Sequence, residues 1–323
     1  MTPGGAGARA VFVEAAARLH FGVLDLRGSF GRSFGGIGAA APAPTLLVSA
    51  VPAESLRVNG EDAGRAAEFA RRFLAHHALP HAVHLRVHRA LPAHSGLGSG
   101  TQLALAVARA LAELHGIAAD APALARAVGR ARRSAIGTWT FAGGGFVLEG
   151  GRRAGSDECG PLLARHPLPL SWRCVVALPD AAPGVSGGAE DEAFARLPPP
   201  SERDVERVAH LVLMALLPAL IEADLPSFGA ALSRIQEITG DWFAPAQGGT
   251  FAAGSGADLI AQMRNWGAAG VGQSSWGPAV YGIVEGAPAG AALASRVRDS
   301  LGHAGTVYEG PFPDHGARVW RGE

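Results

Sequence analysis

Val83, Leu85 and Val87 alternate with His84, Arg86 and His88, the period of a strand with one buried face. Soon afterwards the period lengthens: Leu103, Val107, Leu111 and Leu114 recur at helical spacing, which predicts a helix from Ser99 to about Gly116. The link between the two is Pro92-Ala93-His94-Ser95-Gly96-Leu97-Gly98-Ser99-Gly100-Thr101. Glycines at 96, 98 and 100 let the backbone take left-handed φ and approach a ligand closely. The N–H groups of Ser99, Gly100 and Thr101 at the helix start are expected to face an anion.

Upstream, from Val11 to Val51, short apolar runs broken at Gly28, Gly31, Gly35, Gly36 and Gly38 predict strands joined by tight turns, followed by a helix over Gly64 to His76. Downstream, a second helix is predicted around Ala121 to Ser134 and a strand through Gly143 to Leu148. Glycine and charge replace the periodic pattern between about Glu149 and His166, so two domains are expected, 1–160 and 161–323. The second begins with a strand at Arg173 to Leu178 and a mobile loop over Pro179 to Pro200. Helices near Asp204 to Ala223 and Gly256 to Trp266 follow, then a strand at Val280 to Val284. Strands and helices without regular alternation predict an α+β fold.

Composition narrows the chemistry. The 28 basic residues are all arginine, which excludes a lysine Schiff base and leaves phosphate charge to guanidinium groups, backbone N–H groups or a metal. A formal net charge of zero argues against nucleic acid or a membrane surface as the main partner. Cys159 and Cys174 are too few for a disulfide framework or a cysteine-rich zinc site, so the reducing cytoplasm is the expected compartment. Glu14 interrupts the apolar run from Val11 to Ala17, so this segment reads as a first strand and not as a leader. The uncharged stretch Val208 to Ile221 contains Pro218 and is too short to span a bilayer. It reads as a buried or dimer-interface helix.

The glycine loop has neither the G-x-G-x-x-G spacing of dinucleotide sites nor the lysine of nucleoside triphosphatases, so an ordinary glycine turn before a helix remains the alternative reading. His76, His77, His81, His84 and His88 lack a repeated metal-ligand spacing and read as a solvated face. Arg126, Arg130, Arg132 and Arg133 read as the cationic end of a helix, with a secondary pyrophosphate contact as the alternative.

Arg18-Leu19-His20-Phe21-Gly22-Val23-Leu24-Asp25-Leu26, then Gly31-Arg32 and Gly35-Gly36-Ile37-Gly38, together with the loop from Pro92 to Gln102, resemble the β-ribofuranosylaminobenzene 5′-phosphate synthase family. That family lies within the superfamily of galactokinase, homoserine kinase, mevalonate kinase and phosphomevalonate kinase. Arg133 to Thr138, Ser186-Gly187 with Glu190, and Gly270-Val271-Gly272-Gln273-Ser274-Ser275-Trp276-Gly277-Pro278 carry the likeness through nearly the whole chain. The resemblance implies a ribosomal-S5-domain-2-like N-terminal domain holding the phosphate loop and a ferredoxin-like C-terminal domain holding the last motif, with the site in the cleft between them. It also implies the reaction. 4-Aminobenzoate attacks C1 of phosphoribosyl pyrophosphate, and carbon dioxide and pyrophosphate leave, on the way to methanopterin. Mg²⁺ dependence and a homodimer are further implications.

On that reading Arg32 is the first choice to meet pyrophosphate charge. Asp25 binds Mg²⁺, orients Arg32 or stabilises positive charge on the sugar or aniline, three roles the sequence leaves open, and the metal ligands stay unassigned. Arg18 and His20 face the same cleft, Arg18 as a substrate-binding group and His20 as a third catalytic candidate beside Asp25 and Arg32. Ser95, Gly96, Gly98, Ser99, Gly100, Thr101 and Gln102 hold the 5′-phosphate or the pyrophosphate, and Gln273, Ser274 and Ser275 offer neutral donors beside Trp276, on which the ring rests. The competing assignments are a turn cap for Asp25, a surface ion pair for Arg32, and core packing for Trp276 and His20. A small-molecule kinase using ATP is the alternative function, with a nonenzymatic ligand sensor behind it. Against the kinase, no Asp or Glu occurs from Arg130 to Leu148, where such kinases commonly place a catalytic carboxylate.

Overall fold

The computed structural model describes residues 10–180 and 188–322, with side chains from 192 onward in the second stretch. Ser186, Gly187 and the Glu190 side chain, picked out by the resemblance, lie outside the described residues, as does much of the loop expected after Pro179.

Strand β1 (Ala10–Asp25) and strand β2 (Arg32–Pro52) form one long hairpin, paired from Val11↔Ala50 to Asp25↔Phe34 with register shifts at Ala16/Arg18 and His20/Gly22. The many short strands expected here are therefore two. Gly35, Gly36 and Gly38 lie inside β2 and make no turn. At Gly38 the reason is space, because a Cβ there would sit 2.4 Å from Leu19 O and 2.5 Å from Ile136 Cγ2. The chain continues through β3 (Arg57–Gly60), α1 (Ala63–His76), β4 (Val83–Arg89) and α2 (Ser99–His115), close to the predicted bounds. Next come α3 (Ala121–Ala127), α4 (Ile136–Gly143), β5 (Phe146–Glu149), β6 (Arg152–Arg153) and β7 (Leu162–His166). Helix α3 does not reach Ser134 as predicted, because Gly129 and Ala131 take left-handed φ of 69° and 60° and turn the chain out of the helix.

The second half starts at β8 (Trp172–Pro179). Helix α5 (Gly188–Arg196) replaces part of the expected loop. Then α6 (Glu202–Leu211) runs through a π-helical turn at Val212–Leu216 into α7 (Leu217–Ile221), ahead of α8 (Leu225–Gln247) and α9 (Ser255–Asn265). Strands β9 (Gly270–Gln273) and β10 (Val280–Glu285), helix α10 (Ala287–Leu301), and strands β11 (Gly305–Pro311) and β12 (Arg318–Gly322) complete it.

Two sheets result. The second has the order β11-β8-β10-β9, antiparallel throughout, which with its crossover helices is the ferredoxin-like arrangement. The first runs β12-β1-β2-β4-β3 with β5, β6 and β7 alongside. It takes β7 and β12 from beyond residue 160, so the expected division of the chain does not coincide with the division between sheets. The two layers share apolar packing: Phe21 of β1 lies 5.0 Å from Tyr281 and 6.5 Å from Phe146, and Phe228 of α8 lies 6.3 Å from Phe146 and 4.8 Å from Trp172. Gln236 of α8 donates to Phe21 O at 2.6 Å, so α8 fastens β1 to the second layer with a polar bond as well. Among the described residues no helix is long and apolar enough to cross a membrane.

Candidate functional site

The glycine loop is fastened to both layers before it reaches α2. Arg18 N–H donates to Leu97 O at 3.0 Å, and Ala279 N–H donates to Ser95 O at 2.9 Å. The Gly96 carbonyl accepts from Arg18 Nη1 at 2.6 Å and from Ser274 Oγ at 2.7 Å, while that hydroxyl accepts from His20 N–H at 2.9 Å. Gly96 has φ +83°, and a Cβ on it would lie 2.2 Å from Ser274 O. Only glycine permits this approach, and through it the first, middle and last sequence motifs meet.

Several expected binding groups turn out to be holding the site together. Thr101 N–H closes onto Gly98 O at 3.0 Å, leaving the N–H groups of Ser99 and Gly100, which have no acceptor within the helix, at the mouth of α2. Gln102 is fully buried and donates Nε2 to Gly137 O at 2.9 Å, a strut between α2 and α4 and no part of the cavity wall. Ser274 is likewise buried and tied to Gly96, and Ser95 Oγ donates to Pro92 O at 2.8 Å. Gln273 reaches the cavity, yet its Oε1 accepts from Ala252 N–H at 2.8 Å and its Nε2 donates to Ser275 O at 2.9 Å and to Gln247 at 3.2 Å.

A cavity of about 590 Å³ opens between the layers at this junction. One end consists of Gly98 to Thr101 faced by guanidinium groups of Arg18, Arg65, Arg72, Arg130, Arg132 and Arg133. A Cβ on Gly100 would touch Arg130 Nη2 at 2.2 Å and stand 3.5 Å from Arg65 Nη1, so both cations overhang the start of the helix. Arg130 also lies 5.5 Å from the Phe69 ring centroid. Glu68 is the one carboxylate among the described lining residues, and it is bonded to Arg72. Arg65 is paired with Asp62 as Arg72 is with Glu68, and a cluster of guanidinium groups at a helix N-terminus suits a polyanion. Of the arginines weighed as a helix end, 130, 132 and 133 therefore face the cavity. Arg65 went unnoticed in the sequence, although Arg65, Glu68, Phe69 and Arg72 share one helical face by spacing alone.

The other end is aromatic. Phe194 of α5 stands edge-on to Phe34 at 5.7 Å, to Phe243 at 5.7 Å and to Trp276 at 5.6 Å, and Phe243 stands 5.0 Å from Trp276. Arg133 lies 5.0 Å over the Phe194 ring, between the two ends. His20 forms part of the floor. Burial, and then the nearby Arg18 charge, push its imidazole down to about 3, so it is neutral near pH 7.

Asp25 and Arg32 do not line the cavity. Asp25 Oδ1 accepts from Arg27 N–H at 2.6 Å and from Gly28 N–H at 3.0 Å, the cap of the β1–β2 turn, and Arg32 Nη1 donates to Gly151 O at 3.0 Å. Their link to the site is indirect, since Asp25 pairs across the hairpin with Phe34. Behind the cavity, Glu149 is fully buried and accepts N–H bonds from Ala135 at 3.2 Å and Gly151 at 2.8 Å. Burial pushes its carboxyl up to about 7 against the opposite pull of those two bonds. Among the described residues no group of metal-ligating side chains gathers, at the histidines or elsewhere, and the paired Glu68 offers no open carboxylate. The described lining thus does not make a magnesium site of its own.

The GHMP kinases N terminal domain family model matches residues 63–144. The chain is 35% identical to beta-ribofuranosylphenol 5′-phosphate synthase of Methanothermobacter thermautotrophicus over 93% of this chain and 96% of that one. It is 36% identical to the protein of the same name from Archaeoglobus fulgidus, over 83% and 86%. Among solved structures, phosphomevalonate kinase of Streptococcus pneumoniae superposes with a TM-score of 0.69 over 94% of this chain and 99% of that one, at 12% identity, a likeness of fold.

Proposed function

The chain belongs to the beta-ribofuranosylphenol 5′-phosphate synthase family, and from that premise we propose that it is an enzyme joining C1 of phosphoribosyl pyrophosphate to a para-substituted benzoate. Carbon dioxide and pyrophosphate leave, and the product serves methanopterin synthesis. 4-Aminobenzoate is the acceptor that the resemblance to the aminobenzene synthases implies. The name of the relatives, a ribofuranosylphenol synthase, places a hydroxyl where that acceptor has an amine, so 4-hydroxybenzoate is the second acceptor to offer. The observation that carries the reading is a single cavity with a guanidinium-flanked helix N-terminus at one end and an aromatic wall at the other.

In the proposed reaction the ring carbon bearing the carboxylate gives its π electrons to C1 of the sugar. The C1–O bond breaks toward pyrophosphate, and the C–CO₂ bond then returns its electrons to the ring. No proton is exchanged, which accords with a neutral His20 and with Glu68, the one carboxylate among the described lining residues, being paired to Arg72. The diphosphate lies at Ser99 and Gly100 beneath Arg65 and Arg130, and the ring rests on Trp276. Arginine forks facing the leaving group supply electrostatic stabilisation commonly worth about 3–4 kcal/mol per well-placed donor. We assign magnesium to the substrate: it would arrive bound to the diphosphate, as Mg²⁺ commonly does, and would lessen the charge that the arginines have to meet.

The kinase alternative shares the loop but lacks its acid. The nearest carboxylate after α4, Glu149, is sealed in the interior. Incubation with phosphoribosyl pyrophosphate and carboxyl-labelled 4-aminobenzoate or 4-hydroxybenzoate is expected to release labelled carbon dioxide. Turnover of ATP with a sugar or alcohol, and no label released, would move the assignment to a kinase.

A further inference from the structure

We propose that Phe34, Phe194 and Phe243 complete, with Trp276, a ring clamp that selects the acceptor by its aromaticity. The proposal rests on the reaction put forward above and names the part of the site that chooses the second substrate. These rings come from β2, α5, α8 and the segment after β9, and all line the same cavity. Their mutual geometry is edge-to-face, with interplanar angles of 84° for Phe34–Phe194, 87° for Phe194–Phe243, 82° for Phe194–Trp276 and 69° for Phe243–Trp276. Rings so disposed offer both faces and edges to a planar guest.

Two observations set this cluster apart from ordinary core packing. Core rings of this protein such as Phe21, Phe73 and Phe146 are fully buried, whereas Phe34, Phe194 and Phe243 are each only half-buried and open on the cavity. The backbone is also strained at this wall. Phe34 has φ 69° and Ser275, next to Trp276, has φ 56°, values costly for residues with a Cβ and for a bulky aromatic most of all. Folding alone would favour glycine at 34. A phenylalanine held there in spite of its conformation places a ring at a chosen point.

Near the clamp three described polar side chains are committed within the protein: Thr250 Oγ1 donates to the Asp241 carboxylate at 2.6 Å, Thr239 Oγ1 to the Ile235 carbonyl at 2.9 Å, and Gln247 Nε2 to the Thr250 carbonyl at 2.9 Å. Selection at this end therefore works through ring contact, and a saturated acid of the same size is rejected.

Steady-state kinetics of Phe194→Leu and Phe243→Leu with phosphoribosyl pyrophosphate and 4-hydroxybenzoate test the clamp, with ring-retaining Phe243→Tyr alongside. The KM for the arene should rise at least about tenfold in each leucine variant while the donor KM changes less than about twofold, and the tyrosine variant should keep the wild-type KM. Phe34→Gly should raise the arene KM without lowering the melting temperature, a split that a packing role does not give. Unchanged arene KM in both leucine variants, or a parallel rise of both KM values, overturns the clamp. Should the wild type form no riboside at all, the reaction fails and the clamp is judged by calorimetry: 4-hydroxybenzoate should bind at least about tenfold tighter than cyclohexanecarboxylate, and equal binding overturns it.

Discussion

The two ends of the cavity are built by different means. The anion end is founded on main chain, with arginines closing over it: Gly96, Gly98 and Gly100 sit within one short loop, and their missing side chains admit the Ser274 carbonyl and the side chains of Arg18 and Arg130. The aromatic end is all side chain, drawn from four segments that lie far apart in sequence. A site of the first kind fails when an atom is added. A site of the second kind fails gradually, as each wall is trimmed.

That contrast orders the experiments. The largest effect is expected from Gly96→Ala, which forces a methyl onto Ser274 O in a left-handed position. At least about 2 kcal/mol of stability should go, with loss of donor binding, read by thermal denaturation and by calorimetry with phosphoribosyl pyrophosphate. Arg130→Ala comes next. It keeps the loop but removes the overhanging fork, and kcat/KM should fall about 10²–10³-fold, with little rescue by lysine because a point charge does not reproduce the fork. Losses no larger than those of the phenylalanine variants would erase the distinction between the ends.

Acid and base titration separate two buried groups, His20 in the cavity floor and Glu149 outside its lining. The pKa of His20 is lowered on folding, so in the unfolded chain it takes a proton that the folded chain refuses. Stability should be full above about pH 6.5 and should fall, by on the order of 4 kcal/mol, as pH drops toward about 3. Glu149 has the opposite sign. Its pKa is raised from 4.5 to about 7, so its contribution is present below pH 4.5 and is lost as pH rises through 7. Unfolding free energies of His20→Gln and Glu149→Gln across that range should each lack one slope. Equal slopes in both variants and the wild type would count against these assignments. The smallest effect is expected from Asp25→Asn, which keeps an acceptor for Arg27 and Gly28 while deleting the charge. Turnover should stay within a few-fold of wild type, since a neutral cap is nearly as good as a charged one. A loss beyond about a hundredfold would return Asp25 to the charge-bearing role its sequence motif suggests.

What was legible follows the same division. The loop, the α2 register and the α+β class could be read because neighbouring residues encode them through spacing and glycine chemistry. Trp276 could be read because it stands inside a motif. Phe194 and Phe243 carry no local signal, since a phenylalanine on a half-buried helix face looks the same whether it packs against a core or a ligand. Asp25 reads two ways for a related reason: a carboxylate in a motif is equally at home capping a turn, and only the structure shows the cap, through Arg27 N–H and Gly28 N–H. The end of α3 was missed because two left-handed residues, one of them an alanine, stopped a pattern that still read as helix.

The pairing of β12 with β1, Ala10↔Gly322 through Glu14↔Arg318, has a consequence for how the molecule is made. During synthesis the outer hydrogen-bonding edge of β1 stays uncovered until Arg318–Gly322 has left the ribosome, and Phe12 waits as long for Trp320, which stacks on it at 5.4 Å. The nascent first layer is thus open to strand addition by other molecules while the ferredoxin-like layer is still being translated. Deleting 318–322 should prolong that vulnerable interval indefinitely, giving a protein that aggregates as it is produced.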